Sequence, residues 1–398
     1  MNNSDYVVDR GRRAMPLQLT GRQLAFREEL RAFYTDKVEP GWRERYDSFE
    51  DLGAYLRDWE QVLASRDWAV PTWPEEYGGR GADAVERAIF TEETARFDAP
   101  EGLNRLGKRL VAPVLWQFGT PEQQQHLARI RTGDELWCQG FSEPSAGSDL
   151  VNIRTTAQRV SDEWVINGRK IWTSFAQFAD WIILLVRTGP ADSRADGISV
   201  LLVDLLTPGI EISPIITMSG HAEFNEVSFN DVRVPAANLV GEENAGWSIV
   251  RSVLQDERGA DYCLARYSDI RRIFDDVVST ARELPAEHRA VAHLGADYAR
   301  VYAIQVLASD LLERGQNRTA PEGLESLVKL YTTETWRTMG DDQLRWWGAP
   351  YFTEGPKERL HDQAESRHFT ISAGTSEIQR NLIASRLLEL PSGRKKVA

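Results

Sequence analysis

The 398 residues are enough for two or three domains around a substantial buried core. With 42% hydrophobic and 27% charged residues the composition is that of a globular chain, and no apolar run nears the roughly 20 residues of a membrane span. A formal net charge of −13 argues against nucleic acid, two cysteines (Cys138, Cys263) cannot make a disulfide framework, and six histidines without metal-ligand spacing predict no metal site.

The start, Met1 to Arg13, is polar with charges of both signs and reads as the frayed terminus of a cytoplasmic protein rather than a secretory leader. From Leu17 to about Thr132 apolar residues recur at helical spacing, as in Leu24, Leu30, Phe33 and Tyr34 and again in Leu106, Leu110, Val114 and Leu115. A Pro and Gly loop from Pro71 to Gly81 marks a turn near a working surface. Thr120-Pro121-Glu122-Gln123 is a capping box that starts the last helix of this portion.

After Trp137 the period changes. Short β-branched and aromatic segments fill Ile153 to Val234, and Asn167-Gly168 predicts a two-residue hairpin between Trp164-Val165-Ile166 and Lys170-Ile171-Trp172. The continuous apolar runs Trp181 to Val186 and Ile198 to Val203 predict strands buried on both faces. No GxGxxG follows a strand, so a Rossmann site is not expected. From Ala245 helical spacing returns, notably in Ala286 to Leu312 and Leu324 to Trp336. The basic tail Arg394-Lys395-Lys396 reads as a solvated end. These changes divide the chain into a helical domain (1–135), a β domain (136–240) and a second helical domain (241–398).

Two loops carry the most chemistry: Gln139 to Asp149 (QGFSEPSAGSD) and Asn167 to Ser174 (NGRKIWTS). Glycine and small hydroxyl residues supply N–H and O–H groups for the polar edge of a flat ring such as isoalloxazine, and Trp172 can cover its face. Together with Gly374-Thr375-Ser376-Glu377-Ile378-Gln379-Arg380, these loops resemble, in order and spacing, the flavin signatures of the acyl-CoA dehydrogenase family. The resemblance implies an α+β fold with an N-terminal helical domain, a central β-barrel-like domain and a C-terminal four-helix bundle. It implies FAD held by Phe141, Ser142, Gly147, Ser148, Trp172, Thr173, Ser174, Gly374, Thr375 and Glu377, with Ser148 also touching coenzyme A. The implied partners are an acyl-CoA thioester, an electron-transfer flavoprotein or similar acceptor, and further subunits, either identical or paralogous.

The implied reaction is α,β-dehydrogenation of the thioester, which needs a carboxylate against the α carbon. Many family members carry it just before the Gly-Thr of the C-terminal motif, where this chain has Ala373. Other members place it in a Leu-x-x-Glu-Arg pattern, which Leu254-Gln255-Asp256-Glu257-Arg258 resembles. Glu257 follows Val250, Val253 and Leu254 at inward helical spacing, so burial is expected to raise its proton affinity and suit it to the role of base. The bland alternative is an ion pair within the bundle, although the adjacent Arg258 does not face it. By the resemblance Arg258 lies near the thioester or pantetheine, Glu377 ranks below Glu257 as base, and the Ala373 N–H still binds the thioester oxygen. By the resemblance, the turns that hold the flavin's adenosine end are not intact: Gly348 is a surviving glycine of one, and Arg345 stands where its glutamine would be. A partner-dependent subunit and a flavin oxidase or monooxygenase are the competing functions.

Overall fold

The computed structural model describes residues 19–46, 48–256, 260–283, 291–317 and 319–391. Glu257 and Arg258 lie outside them, as do Met1 to Arg13 and the basic tail.

Reciprocal caps set the first helices. Thr20 and Gln23 exchange hydrogen bonds at the start of α1 (Gly21–Lys37), and Asp83 and Glu86 do the same for α3 (Ala84–Arg96). Buried Glu86 then takes Arg22 in a 2.8 Å ion pair that fastens α1 to α3. Phe26 and Leu30 of α1 and Trp59 and Leu63 of α2 (Phe49–Ala64) close over Trp68. Leu24, expected in this stripe, is 48% exposed. It stands six positions before Leu30, which turns it to another face of the helix, and Phe26 fills the inward place.

Helix α4 (Ala112–Phe118) leads to the expected Thr120–Gln123 box, which caps the single turn α5 (Pro121–Gln124) before α6 (His126–Thr132). Asn104, wholly buried, then joins the helical layer to the sheet. Its amide donates to the carbonyls of Ile130 (3.1 Å) and Glu135 (2.7 Å), and its Oδ1 accepts from the Trp137 N–H at 3.0 Å. Asn104→Ala takes a hydrogen bond from three backbone groups, of which, among the described residues, only the Ile130 carbonyl keeps another partner, the Gly133 N–H, so a loss of about 3 kcal/mol is expected, read as a lower urea midpoint at unchanged slope.

Eight strands follow: β1 (Trp137–Gly140), β2 (Thr156–Val160), β3 (Glu163–Ser174), β4 (Trp181–Arg187), β5 (Ile198–Asp204), β6 (Ile210–Ile215), β7 (Phe224–Pro235) and β8 (Leu239–Val240). They order as β6-β7-β3-β2-β4-β5-β8, with β1 parallel to β4. The apolar runs of β4 and β5 are buried on both faces, as their composition predicts.

Asn167-Gly168 makes no hairpin. It lies inside the continuous strand β3, at a bulge in the pairing with β7. The Asn167 side chain bonds across to Asp231, donating to its carboxylate (3.0 Å) and accepting from its N–H (2.9 Å), rather than closing a local turn. Gly168 is needed because its φ is +146° and a Cβ there would come within 2.6 Å of the Thr155 Cα. The hairpin that does form turns at Ser161-Asp162, with Val160 opposite Glu163.

The last third is helical: α7 (Gly246–Asp256), α8 (Ala260–Glu283), α9 (Val291–Gln316), α10 (Leu324–Thr353), α11 (Lys357–His368) and α12 (Ser376–Leu382). Ile270 and Phe274 of α8, Val301 and Ile304 of α9, and Trp336 and Met339 of α10 form the bundle core. Ala88 of α3 packs against Leu264 of α8 and Ala308 and Leu312 of α9, so the first and last thirds share an interface. Gly348, the remnant glycine, kinks α10 with φ 67° and ψ −169°, two residues before Pro350.

Candidate active site

A buried ion pair that the sequence reading missed fixes the first loop. Lys170 points inward from β3, fully buried, and its Nζ donates to the Phe141 carbonyl (3.1 Å) and to Glu143 Oε1 (2.8 Å). The Glu143 carboxylate also accepts the N–H groups of Arg154 (2.6 Å) and Thr155 (2.9 Å). Burial pushes the Lys170 pKa down to about 8 against the pull of Glu143. Burial would raise Glu143, but Lys170 and the two N–H groups prevail and hold it below the usual carboxylate range. Beside the pair, Arg187 donates to the carbonyls of Ile153 (3.0 Å) and Val151 (2.7 Å). The available signal was a lysine at an inward-facing strand position, which calls for a buried acid.

The proposed flavin residues fall into three groups. Phe141 puts its side chain into the core, leaving its backbone, and the Ser142 carbonyl accepts the Ile171 N–H at 3.0 Å. Gly147 and Ser148 stand exposed on the rim of this loop. At the end of β3, Trp172 adopts φ +61° at a second bulge, which holds its indole 56% exposed with its edge toward Phe224 at 6.1 Å. Thr173 is buried with no hydrogen-bond partner for its hydroxyl, Ser174 is half-buried, and the Asn225 amide donates to the Thr173 carbonyl at 3.1 Å.

The third group is a turn. Ala373 (φ +50°) and Gly374 (φ +89°) are both left-handed. The Gln379 amide donates to both their carbonyls at 3.0 Å, and buried Lys329 donates to the carbonyls of Gly374 (2.9 Å) and Phe369 (3.0 Å). The Ala373 N–H makes no hydrogen bond among the described residues. The Thr375 hydroxyl accepts from the Ile378 N–H as the cap of α12, and Ser376 donates to Glu334 at 2.6 Å. Glu377 is 79% exposed in the first turn of α12, and hydrogen bonds from its own N–H and Thr375 hold its carboxyl below the usual range.

Phe224 joins the second group to the end of α11, which leads into the third. Its ring meets Trp172 on one side and, at 5.3 Å, His368 on the other, and His368 lies against Phe369. Phe175, Glu223 and Phe369 border a cavity of about 380 Å³ that runs between the first helical domain and α8. Pro71, Thr72 and Trp73 of the Pro and Gly loop line it, as expected of a loop near a working surface.

The patterns for the N-terminal, middle and C-terminal domains of acyl-CoA dehydrogenase match residues 20–134, 138–232 and 244–388. The chain belongs to the acyl-CoA dehydrogenase family. Acyl-CoA dehydrogenase IpdE1 of Mycobacterium tuberculosis is 38% identical over 394 residues, 93% of this chain and 98% of that one. Acyl-CoA dehydrogenase FadE26 of the same organism is 33% identical over 409 residues, 96% and 100% of the two chains. Among solved structures, the Tcur3481-Tcur3483 steroid ACAD superimposes with a TM-score of 0.84 at 29% identity, covering 95% of this chain and 100% of that one. The ChsE4-ChsE5 complex from Mycobacterium tuberculosis gives 0.81 at 31% identity, covering 95% and 100%.

As an acyl-CoA dehydrogenase the protein is an FAD-dependent oxidoreductase. In this acyl-CoA dehydrogenase position 373 of the C-terminal turn is an alanine, which cannot accept a proton, and the nearby Glu377 is exposed. The expected base Glu257 and its neighbour Arg258 lie outside the described residues, between the end of α7 and the start of α8. The α8 residues Ala265, Arg266 and Asp269 line the cavity. Beside them Glu101, whose carboxyl burial would raise, is brought down to about 2 by Arg109, Arg105, Arg266 and Lys108. Among the described residues no group of three or more His, Cys, Asp or Glu is placed to hold a metal, and no helix is long and apolar enough to cross a membrane.

Proposed function

We propose that this chain catalyses the FAD-dependent α,β-dehydrogenation of an acyl-CoA thioester, with Glu257 taking the α proton. The observation that carries the reading is that Phe224 joins the end of β3 to His368, at the end of the helix that leads into the Ala373-Gly374 turn, beside a cavity lined by Glu223 and Phe369.

The residues present fit an isoalloxazine ring. Thr173 offers a buried hydroxyl with no protein partner, Trp172 an indole face held out of the sheet, and the Lys170–Glu143 pair fixes the loop bearing Ser142 and Ser148. Thr173, Ser174, Ser142, Ser148 and the backbone of Phe141 and Gly147 hold the ring from the β domain, and Gly374, Thr375 and Glu377 hold it from the bundle. When bound, the flavin accepts the β hydrogen as hydride. The Ala373 N–H donates to the thioester oxygen and so acidifies the α carbon, an interaction of about 3 kcal/mol in such sites. Arg258 and the exposed Ser148 take the pantetheine and coenzyme A portion. We place the protein in the cytoplasm, with an electron-transfer flavoprotein as acceptor.

The altered turn at Gly348 and the alanine at position 373 favour assembly with a second chain, and the relatives include complexes named for two chains. Purified alone, the chain is then expected to hold less than one flavin per subunit, rising when a paralogous subunit is coexpressed. A fully loaded homo-oligomer would rule this out. The catalytic reading is tested by anaerobic mixing of the flavin-loaded protein with short, branched and ring-bearing acyl-CoA thioesters. Bleaching of the oxidised flavin is expected; no bleaching by any thioester, with or without the second subunit, would overturn the reading. Rapid reoxidation of the bleached flavin in air would instead identify an oxidase.

A further inference from the structure

We infer that the cavity selects an acyl group carrying a hydroxyl, keto or carboxylate oxygen remote from its α and β carbons, and that Arg105 and Arg109 receive that oxygen. The inference rests on the dehydrogenase reading and names the substrate class of the same site.

The lining is mixed. Leu63, Trp68, Trp73, Phe90, Trp336 and Phe369 supply apolar and largely aromatic surface. Arg105, Arg109 and Arg266, with Glu101, Glu223 and Asp269, line the same space. These groups are already paired: Arg109 with Glu101 at 2.9 Å, Arg105 with Glu223 at 3.2 Å and Glu101 at 4.0 Å, and Arg266 with Asp269 at 3.1 Å. The cluster is therefore close to neutral, and it does not demand an anion.

It does demand hydrogen-bond acceptors. A guanidinium has five N–H donors, and Arg105 spends one nitrogen on Glu223 while its face lies 5.6 Å from the Phe175 ring. The Arg105 side chain is 30% and that of Arg109 51% exposed, so solvent can reach their other donors. A hydrocarbon chain filling the space would strip that solvent and return no acceptor, at a cost charged to binding. A hydroxyl, keto or carboxylate oxygen restores the bonds, while the aromatic surface packs against the carbon skeleton. Sites built to hydrogen-bond a substrate group reject the analogue lacking it far more strongly than apolar pockets reject an extra methylene.

The test compares pairs of thioesters matched in carbon skeleton, straight-chain and cyclohexyl, each as the plain acyl-CoA and as its ω-hydroxy, ω-keto and ω-carboxy derivative. Flavin reduction is followed anaerobically, with any second subunit present that the enzyme needs. An oxygenated member is expected to exceed its plain counterpart in kcat/KM by at least about 100-fold. In Arg105→Met that ratio is expected to collapse toward one. Arg109→Met serves as the second variant should the first not fold, because Arg109 pairs with Glu101 of its own domain whereas Arg105 also pairs with Glu223. Plain thioesters reduced as well as the oxygenated ones would overturn the inference and leave the dehydrogenase reading standing. An equal loss on both members of a pair in Arg105→Met would also overturn it, by making the arginine structural. Failure of every thioester would refute the dehydrogenase reading instead.

Discussion

Glu257→Gln is expected to abolish flavin reduction by acyl-CoA, lowering its rate by about 10²–10⁴-fold while the bound flavin keeps its oxidised spectrum. Glutamine keeps the size of glutamate but cannot take a proton, so the effect isolates proton removal. No other carboxylate in the proposed machinery fits the role. Position 373 is alanine, and Glu377 is solvent-exposed, with local hydrogen bonds making it a weaker base still. The flavin contacts proposed here come from β3, the loop at 141–149 and the turn at 373–377, none of which includes residue 257. Occupancy and rate are thus expected to separate. Measurement is by stopped-flow absorbance against a thioester the wild type reduces; turnover retained in the variant would remove Glu257 from the mechanism.

Lys170→Met is expected to destabilise the protein by about 3–5 kcal/mol and to release the flavin, because it strands the Glu143 carboxylate in the interior. Glu143 would keep the N–H groups of Arg154 and Thr155 but lose its counter-charge, and the Phe141 carbonyl would lose its donor. The double change Lys170→Met with Glu143→Leu removes both charges and is expected to regain much of the stability without restoring flavin affinity. Denaturant midpoints and flavin occupancy check both halves; an unchanged midpoint with full flavin in the single variant would show that the pair does not hold the loop. The pH dependence has a definite sign. Glu143 titrates below its unfolded value in the folded state, so its contribution is present above the unfolded carboxylate pKa near 4.5 and is lost as pH falls through the folded value. Lys170, lowered to about 8, adds stability as pH rises from there toward 10.5, where the unfolded chain binds the extra proton.

Much of the fold was legible because local patterns and the final structure agree. The apolar runs of β4 and β5, the capping box at Thr120 and the change of period after Trp137 each rest on residues close in sequence. What escaped depends on partners far away. Asn167-Gly168 has the composition of a turn, but Asp231, from β7, claims the asparagine side chain. Glu143 and Lys170 lie 27 residues apart, and only the stacking of loop on strand shows that they form one buried unit. The charged lining of the cavity was likewise out of reach, since it draws on the segment after α3, on β7's approach and on α8.

Trp172 gives the protein an optical handle. Of its thirteen tryptophans this one alone is exposed, held outward by a left-handed backbone at the bulge of β3. Iodide or acrylamide added to the flavin-free protein would therefore quench one indole ahead of all the others. A ring stacked on that face would shield it from collision and drain its excited state by energy transfer, so the emission of a single residue would count flavin into the site.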